Sequence, residues 1–409
     1  MISVAEARAR ILAGFAALPA ETVALPDALG RVLAEPVTAR LTQPPFDAAA
    51  MDGWAVRAAD IAGATSDRPV ALRRIGESAA GHAFSGSVGV GEAVRIFTGA
   101  PVPTGADAVV MQEDCSADDA SVLIGRAVVA GRFVRPAGFD FPQGRELLPK
   151  GRRLTARDIA LAAGGNVPWL SVHRRPRVAV LATGDEIALP GDPLGPSQIV
   201  STNALGLCAL VATQGGTAHN LGIARDTVDS VAAMAAGAAG CDLLVTTGGA
   251  AQGDYDLVRD VLADRGVSLD VHSIAMRPGK AVMFGRAGTV PLLGLPGNPV
   301  STGVTAVLFL RPILRVLQGL PPDDGEGPRR ARLGTALKAN DRREDYIRAT
   351  LTTGDDGIPT ATPFDRQDSA ITSLYAQADC LIVRAPQAPA AEAGAGVDIV
   401  PLSGGALNL

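Results

Sequence analysis

CDLLVTTGGAAQGDYD, Cys241 to Asp256, joins a short apolar run to a helical one through a glycine turn. Asp242 to Thr246 is apolar, β-branched and too brief for a helix, so it predicts a buried strand. At Thr247, Gly248 and Gly249 the backbone needs freedom that a Cβ would deny. Gly253, Asp254, Tyr255 and Asp256 follow, then a helical pattern from Leu257 to Arg265. A glycine turn at a strand's carboxyl end, opening a helix, presents backbone N–H groups to an oxyanion. Carboxylates beside it repel a phosphate unless a cation lies between them, which points to Mg²⁺. The competing reading is a tight turn whose aspartates cap the next helix.

Strands alternate with helices on both sides of this stretch. Val178 to Ala182 is a predicted strand, followed by the loop TGDEIALPG. Ser201 or Thr202 caps a helix to about Thr213, and Thr227 to Ala236 is a second helix. Ala281 to Phe284 and Val290 to Leu295 read as paired strands, and LPGNPVS, Leu295 to Ser301, enters a helix ending near Leu317. Such alternation predicts a doubly wound, mostly parallel sheet, which binds ligands at the carboxyl ends of its strands. The loops TGDE, TTGGAAQGDYD and LPGNPVS all fall at such ends.

Other patterns lie outside this central domain, residues 173–320. Ser3 and Glu6 open an amphipathic helix carrying Val4, Ala7, Ile11 and Phe15 and ending near Leu18-Pro19. A second short helix is expected over Pro26 to Leu33, and another over Leu154 to Ala163, with Thr155 and Asp158 near its start. Residues 1–45 and 141–172 are therefore read as one discontinuous helical domain. Glycine-punctuated strands over 46–140 make an inserted β-rich domain containing PPFDAAAMDGWAVR and the rigid loop TGAPVPTGAD. Residues 321–328 are a linker by composition. Residues 329–409 make a C-terminal β-barrel-like domain.

Composition narrows the function. The 409 residues exceed a single core, and 47% hydrophobic with 19% charged residues is globular composition. A net charge of −5 argues against a nucleic-acid or membrane-surface binder. Cys115, Cys208, Cys241 and Cys380 form no CxxC pair, which fits a reducing cytoplasm without a cysteine zinc site. No secretory signal core or membrane-spanning run is read in the chain. MRPGKAVMFG puts Arg277 and Lys280 around a Pro-Gly turn, and Lys280 is one of three lysines among 37 basic residues. Read alone, that turn is either a solvated surface turn or a clamp for an oxyanion.

MDGWAV, TGAPVP, TGDE, GGAAQGDYD, RPGK and LPGNPVS, in this order over nearly the whole chain, resemble the molybdopterin molybdenumtransferase family, which includes MoeA and the gephyrin E domain. The resemblance implies molybdenum cofactor biosynthesis. Adenylylated molybdopterin and molybdate bind as substrates, AMP leaves, and molybdenum passes to the dithiolene sulfurs with Mg²⁺ assisting. It also implies a homodimer with the site between subunits and contact with other cofactor-biosynthesis proteins. The family's functional acids fall on Asp52, Asp140, Glu186, Asp226 and Asp254, of which Glu186, Asp226 and Asp254 hold or orient the metal. Its substrate positions fall on Thr98, Thr183, Gly184, Gly248, Gly249, Arg277, Lys280, Pro296, Gly297, Asn298, Arg348 and Ser369. Asp52, Thr98 and Asp140 would serve the partner chain's cleft. A molybdopterin adenylyltransferase and a gephyrin-type scaffold are the alternatives.

The chain departs from the family pattern in places. Ser273 stands where several relatives carry a second lysine, Ala250-Ala251 replaces Val-Ser, and Ala48-Ala49 replaces polar residues. A weaker molybdate site is expected. The molybdate concentration for half-maximal cofactor formation should fall in Ser273→Lys; an unchanged value counts against the idea.

Overall fold

The computed structural model describes residues 1–248, 269–271, 273–323 and 329–402. At its centre is a six-stranded sheet in the order Thr217–Ala224, Arg177–Thr183, Leu243–Gly248, Val290–Leu295, Met283–Ala287, Leu269–Val271. The first four strands are parallel, and the last two run antiparallel to their neighbours. Strand alternation feeds two cores. Val178, Val180, Leu243 and Val245 enter the larger one, while Ala179, Leu181 and Leu244 meet Val231 and Ala232 on the opposite face. Covering both faces is what a doubly wound sheet requires, because neither face is polar enough to meet water.

The helix entering from LPGNPVS runs Pro299–Thr305, Ala306–Leu310 and Arg311–Leu317, the middle piece with π geometry. By length and apolarity it matches a membrane span, yet 72% of it is buried inside the protein, so it is a core helix. The helix Asn203–Thr213 buries Ala204, Leu207 and Val211 in the same core.

The inserted domain is a six-stranded sheet ordered Ala108–Met111, Gly53–Val56, Glu92–Ile96, Val70–Ser78, Ser121–Ile124, Cys115–Ala117. At Gly53, between Asp52 and Trp54, a Cβ would sit 1.8 Å from the Val110 carbonyl oxygen, so only glycine fits. In the C-terminal region Glu344–Thr353, Pro359–Pro363, Arg329–Leu333, Gly396–Pro401 and Cys380–Arg384 close on themselves as a barrel. Met276–Arg277 pairs in parallel with Glu344 and Asp345 and ties this barrel to the central domain.

The terminal segments differ from the sequence expectation. Residues 1–45 and 141–172 contain the helices Val4–Leu12 and Ala156–Gly164 but also the antiparallel pairs Ala20–Ala24 with Trp169–His173 and Val37–Thr38 with Glu146–Leu148. Pro26 to Leu33 is not a helix. Only a 3₁₀ turn, Leu25–Asp27, forms before Gly30 takes φ +73° and turns the chain away. The first helix ends at Leu12, short of Leu18, and the two helices serve different cores. The buried face of the first, Val4, Ala7 and Ile11, shares the large core with Ile274, Phe284 and Leu308, while Ala162 of the second packs among Leu33, Leu148 and Leu170. An amphipathic stripe specifies that a face is buried but not against what. The helix read over Leu257 to Arg265 lies outside the described residues, as does most of the linker.

The second helix has a complete capping box. Asp158 accepts from the Thr155 amide at 2.9 Å and hydroxyl at 2.8 Å, and its own amide returns a bond to the Thr155 hydroxyl. Burial pushes its carboxyl pKa up, but the Arg152 guanidinium and the Thr155 bonds outweigh that and hold it below the usual value of 3.8. This stabilisation is therefore complete above the unfolded-state pKa and is lost as pH falls through the lowered folded one. Asp158→Ala should cost about 1–3 kcal/mol in urea unfolding at neutral pH. The gap from wild type should narrow below pH 3.8; a pH-independent gap contradicts the assignment.

Candidate functional site

The carboxyl ends of Arg177–Thr183, Leu243–Gly248 and Val290–Leu295 open on one cavity of about 520 Å³. Thr183, Glu186, Ser201, Asn203, Thr247, Gly248, Gly297 and Asn298 are in its lining. Gly248 has φ +118°, and a Cβ there would lie 2.0 Å from the Thr183 carbonyl oxygen. The two strand ends can meet only because that position is glycine. Thr183 is buried, and Gly184 continues the turn with its amide donating to the Ala224 carbonyl at 3.2 Å.

Hydrogen bonds stitch the loops together around the cavity. The Asn203 amide donates to the Thr247 hydroxyl at 2.9 Å and to the Gly297 carbonyl at 2.7 Å. Thr247 donates to the Pro296 carbonyl at 3.2 Å, and Thr302 donates to the same carbonyl. Asn298 donates to the Ser369 hydroxyl at 3.1 Å, bringing the C-terminal domain to the rim, where Ala370 joins the lining.

The acids are arranged along the edge of the TGDE loop. Glu186 lines the cavity. Asp185 and Asp226 exchange bonds, each backbone amide meeting the other's carboxylate at 3.4 Å. Among the described residues no three His, Cys, Asp or Glu side chains converge as a metal site. Glu186 and Asp226 carry carboxylate oxygens, a hard donor type of the kind Mg²⁺ takes, on adjoining loops. The third predicted acid, Asp254, and the predicted Gly249 lie outside the described residues.

Arg348 is 1% exposed. Its Nε donates to Gln367 at 3.2 Å and a terminal nitrogen donates to the Asp368 carbonyl at 2.8 Å. Burial pushes its pKa down, opposed by the charge of Asp368. Among the described residues no carboxylate hydrogen-bonds this guanidinium. A buried cation met by neutral acceptors favours an anion beside it.

Of the predicted residues, Gly184, Asp226, Pro296, Arg348 and Ser369 are not in this cavity lining, and neither are those that follow. Asp52 is on the inserted domain, where one of its oxygens accepts from both the amide and the hydroxyl of Thr98 at 2.7 Å. These bonds, the amide first and the hydroxyl second, hold its carboxyl below the usual range. Asp140 is exposed on the segment returning from that domain, its amide bonded to the Gln43 carbonyl. Arg277 is ion-paired with Asp345 and lies 3.4 Å from Asp341. Its strand partner is Asp345, so its guanidinium meets that carboxylate before any ligand. Lys280 is exposed.

Sequence reading missed Asn203, Thr302 and Gln367. Asn203 begins a helix directly after a strand-edge loop, a position that signals proximity to the site in a doubly wound sheet. Gln367 stands two residues before Ser369, and nothing local marks it.

Replacing Thr98 with Val removes the hydroxyl and keeps the amide. The Asp52 carboxyl pKa, followed by ¹³C NMR titration, should rise toward 3.8. No movement separates Thr98 from the control of this acid.

Residues 2–165 match the MoeA N-terminal region (domain I and II), 179–316 a probable molybdopterin-binding domain and 330–402 the MoeA C-terminal region (domain IV). The chain is 38% identical over 335 residues to the molybdopterin molybdenumtransferase of Nostoc sp., covering 81% of this chain and 77% of that one. It is 31% identical over 408 residues to that of Haemophilus influenzae, covering 98% and 99%. The solved molybdopterin biosynthesis MoeA protein of Pyrococcus horikoshii superposes with a TM-score of 0.85 at 32% identity, covering 99% of this chain and all of that one.

Proposed function

The chain belongs to the MoeA family of molybdopterin molybdenumtransferases, and from that premise we propose that it inserts molybdenum from molybdate into adenylylated molybdopterin and releases AMP. It is a transferase of molybdenum cofactor biosynthesis. The finer reading assigns its parts. The TTGG and LPGN loops, with Thr183, Gly184, Gly248, Gly249, Pro296, Gly297 and Asn298, hold the pterin adenylate through backbone donors and short polar groups. Arg348 and Ser369 seat molybdate, with Arg277 and Lys280 adding positive charge. Asp52, Thr98 and Asp140, on the inserted domain, serve the cleft of a partner chain in a cytoplasmic homodimer. Other cofactor-biosynthesis proteins supply the pterin and take the product.

The residues act by holding charge in place. Glu186, Asp226 and Asp254 would hold Mg²⁺, which when bound neutralises charge on the phosphate linkage. Backbone amides at the glycine turns orient that linkage while its bridging P–O bond to the adenylate phosphorus breaks and an oxygen of molybdate or water forms the new P–O bond of the departing AMP. The buried Arg348 guanidinium keeps the oxometalate oriented toward the dithiolene sulfurs. The observation that carries the reading is Arg348: a buried cation, bonded by neutral acceptors, beside the segment that reaches the cavity rim through Ser369.

Purified protein given adenylylated molybdopterin, molybdate and Mg²⁺ should release AMP and yield cofactor that activates an apo-molybdoenzyme. Arg348→Ala should need about tenfold or more molybdate, and Asp254→Ala should turn over about 10²-fold more slowly. Protein that releases no AMP and inserts no molybdenum refutes the reading. Adenylylation of molybdopterin from ATP without molybdate would identify an adenylyltransferase instead.

A further inference from the structure

We propose that Asn203 is the positioning residue that fixes the strand end at Thr247–Gly248 and the LPGN loop relative to each other, and that nucleotide affinity depends on it. This deepens the reading above and rests on it. Asn203 opens the helix Asn203–Thr213, which is anchored in the large core by Ala204, Leu207 and Val211. A side chain at that point is held by a rigid element, as precise positioning requires. Its amide nitrogen spends its donors on two different loops, at Thr247 Oγ1 and the Gly297 carbonyl. Its oxygen accepts from the Thr202 hydroxyl at 3.3 Å. Only the nitrogen can face the Gly297 carbonyl, so the orientation of the amide is fixed.

The network continues beyond Asn203. Thr247 donates its hydroxyl proton to the Pro296 carbonyl, and Thr302 braces Pro296 and Asn298 from below. Asn298 then reaches Ser369, and the Val300 amide donates to the Ser369 carbonyl at 3.1 Å. One side chain thus sets the spacing of two ligand loops and, through them, the seating of the C-terminal domain. No other short side chain provides two donors and an acceptor here. An ionised aspartate would turn both donors into acceptors facing an oxygen 2.7 Å away.

The test uses the full-length protein, Asn203→Asp, and AMP with Mg²⁺ as the probe in calorimetry. At neutral pH the variant should bind AMP about tenfold or more weakly, with its thermal midpoint little changed. Affinity should return toward wild type as acid protonates the introduced carboxylate and restores one donor, measured against wild type at each pH. Hydrogen exchange at the Val300 amide, read without ligand, should be faster in the variant. Unchanged affinity and unchanged exchange overturn the proposal, as does a loss of affinity that acid does not relieve. If Asn203→Asp does not fold, Thr247→Val keeps the side-chain shape, removes the shared hydroxyl and should weaken AMP binding in the same direction; unchanged binding overturns the proposal. Wild-type protein that binds no AMP, with Val300 exchange still responding, refutes the nucleotide reading of the cavity and leaves Asn203's control of the loops standing.

Discussion

The backbones at Thr183 and Gly248 approach so closely that one methyl group would separate them. These residues end two adjacent parallel strands, and the cavity is lined from those ends and that of Val290–Leu295, with Ala370 of the C-terminal domain joining them. Parallel pairing is evenly spaced, so neighbouring strand ends finish side by side on one edge. A turn at that edge has few ways to leave without blocking its neighbour, and glycine is the way taken here. The cavity is the space that remains once each loop has turned aside.

Charge is distributed by domain. The central domain brings Glu186 to the cavity and holds the Asp185–Asp226 pair on the adjoining loops. The C-terminal barrel brings a buried arginine, and the Ser369 contact with Asn298 fixes the neighbouring segment at the cavity edge. Arg277 sits where the two domains share a strand pairing, with the barrel carboxylates Asp345 and Asp341 around it. Its charge holds the domains together in this state, so any anion it takes must compete with Asp345. Asp52 and Thr98 form a compact hydrogen-bonded pair on the inserted domain, held by bonds that depend on no residue of the cavity.

Periodicity, glycine turns and motif order were enough to place most of the central strands and helices within a few residues, because these signals are local, but they did not mark the strands Thr217–Ala224 and Leu269–Val271. Arg177–Thr183, Leu243–Gly248, Val290–Leu295 and the helices after Thr202 and Thr227 form where the pattern puts them. The same local signals put the loops of Gly248, Glu186 and Asn298 at strand ends, and all three line the cavity. Local signals failed where the partner is distant in sequence. The helix Val4–Leu12 shows a buried stripe but not that the stripe faces the central domain. Arg277 shows a cation but not that Asp345 neutralises it. Asn203 reads as the first residue of a helix, not as a brace for two loops far along the chain.

By itself, then, the sequence determined most of the elements, which loops end the central strands and which family the chain resembles, because secondary structure and turn geometry depend on near neighbours. Only the tertiary structure decided which charges pair with which, which faces meet, and which side chain holds the loops in place. Those outcomes depend on contacts between residues far apart in the chain, and on burial, which no local pattern records.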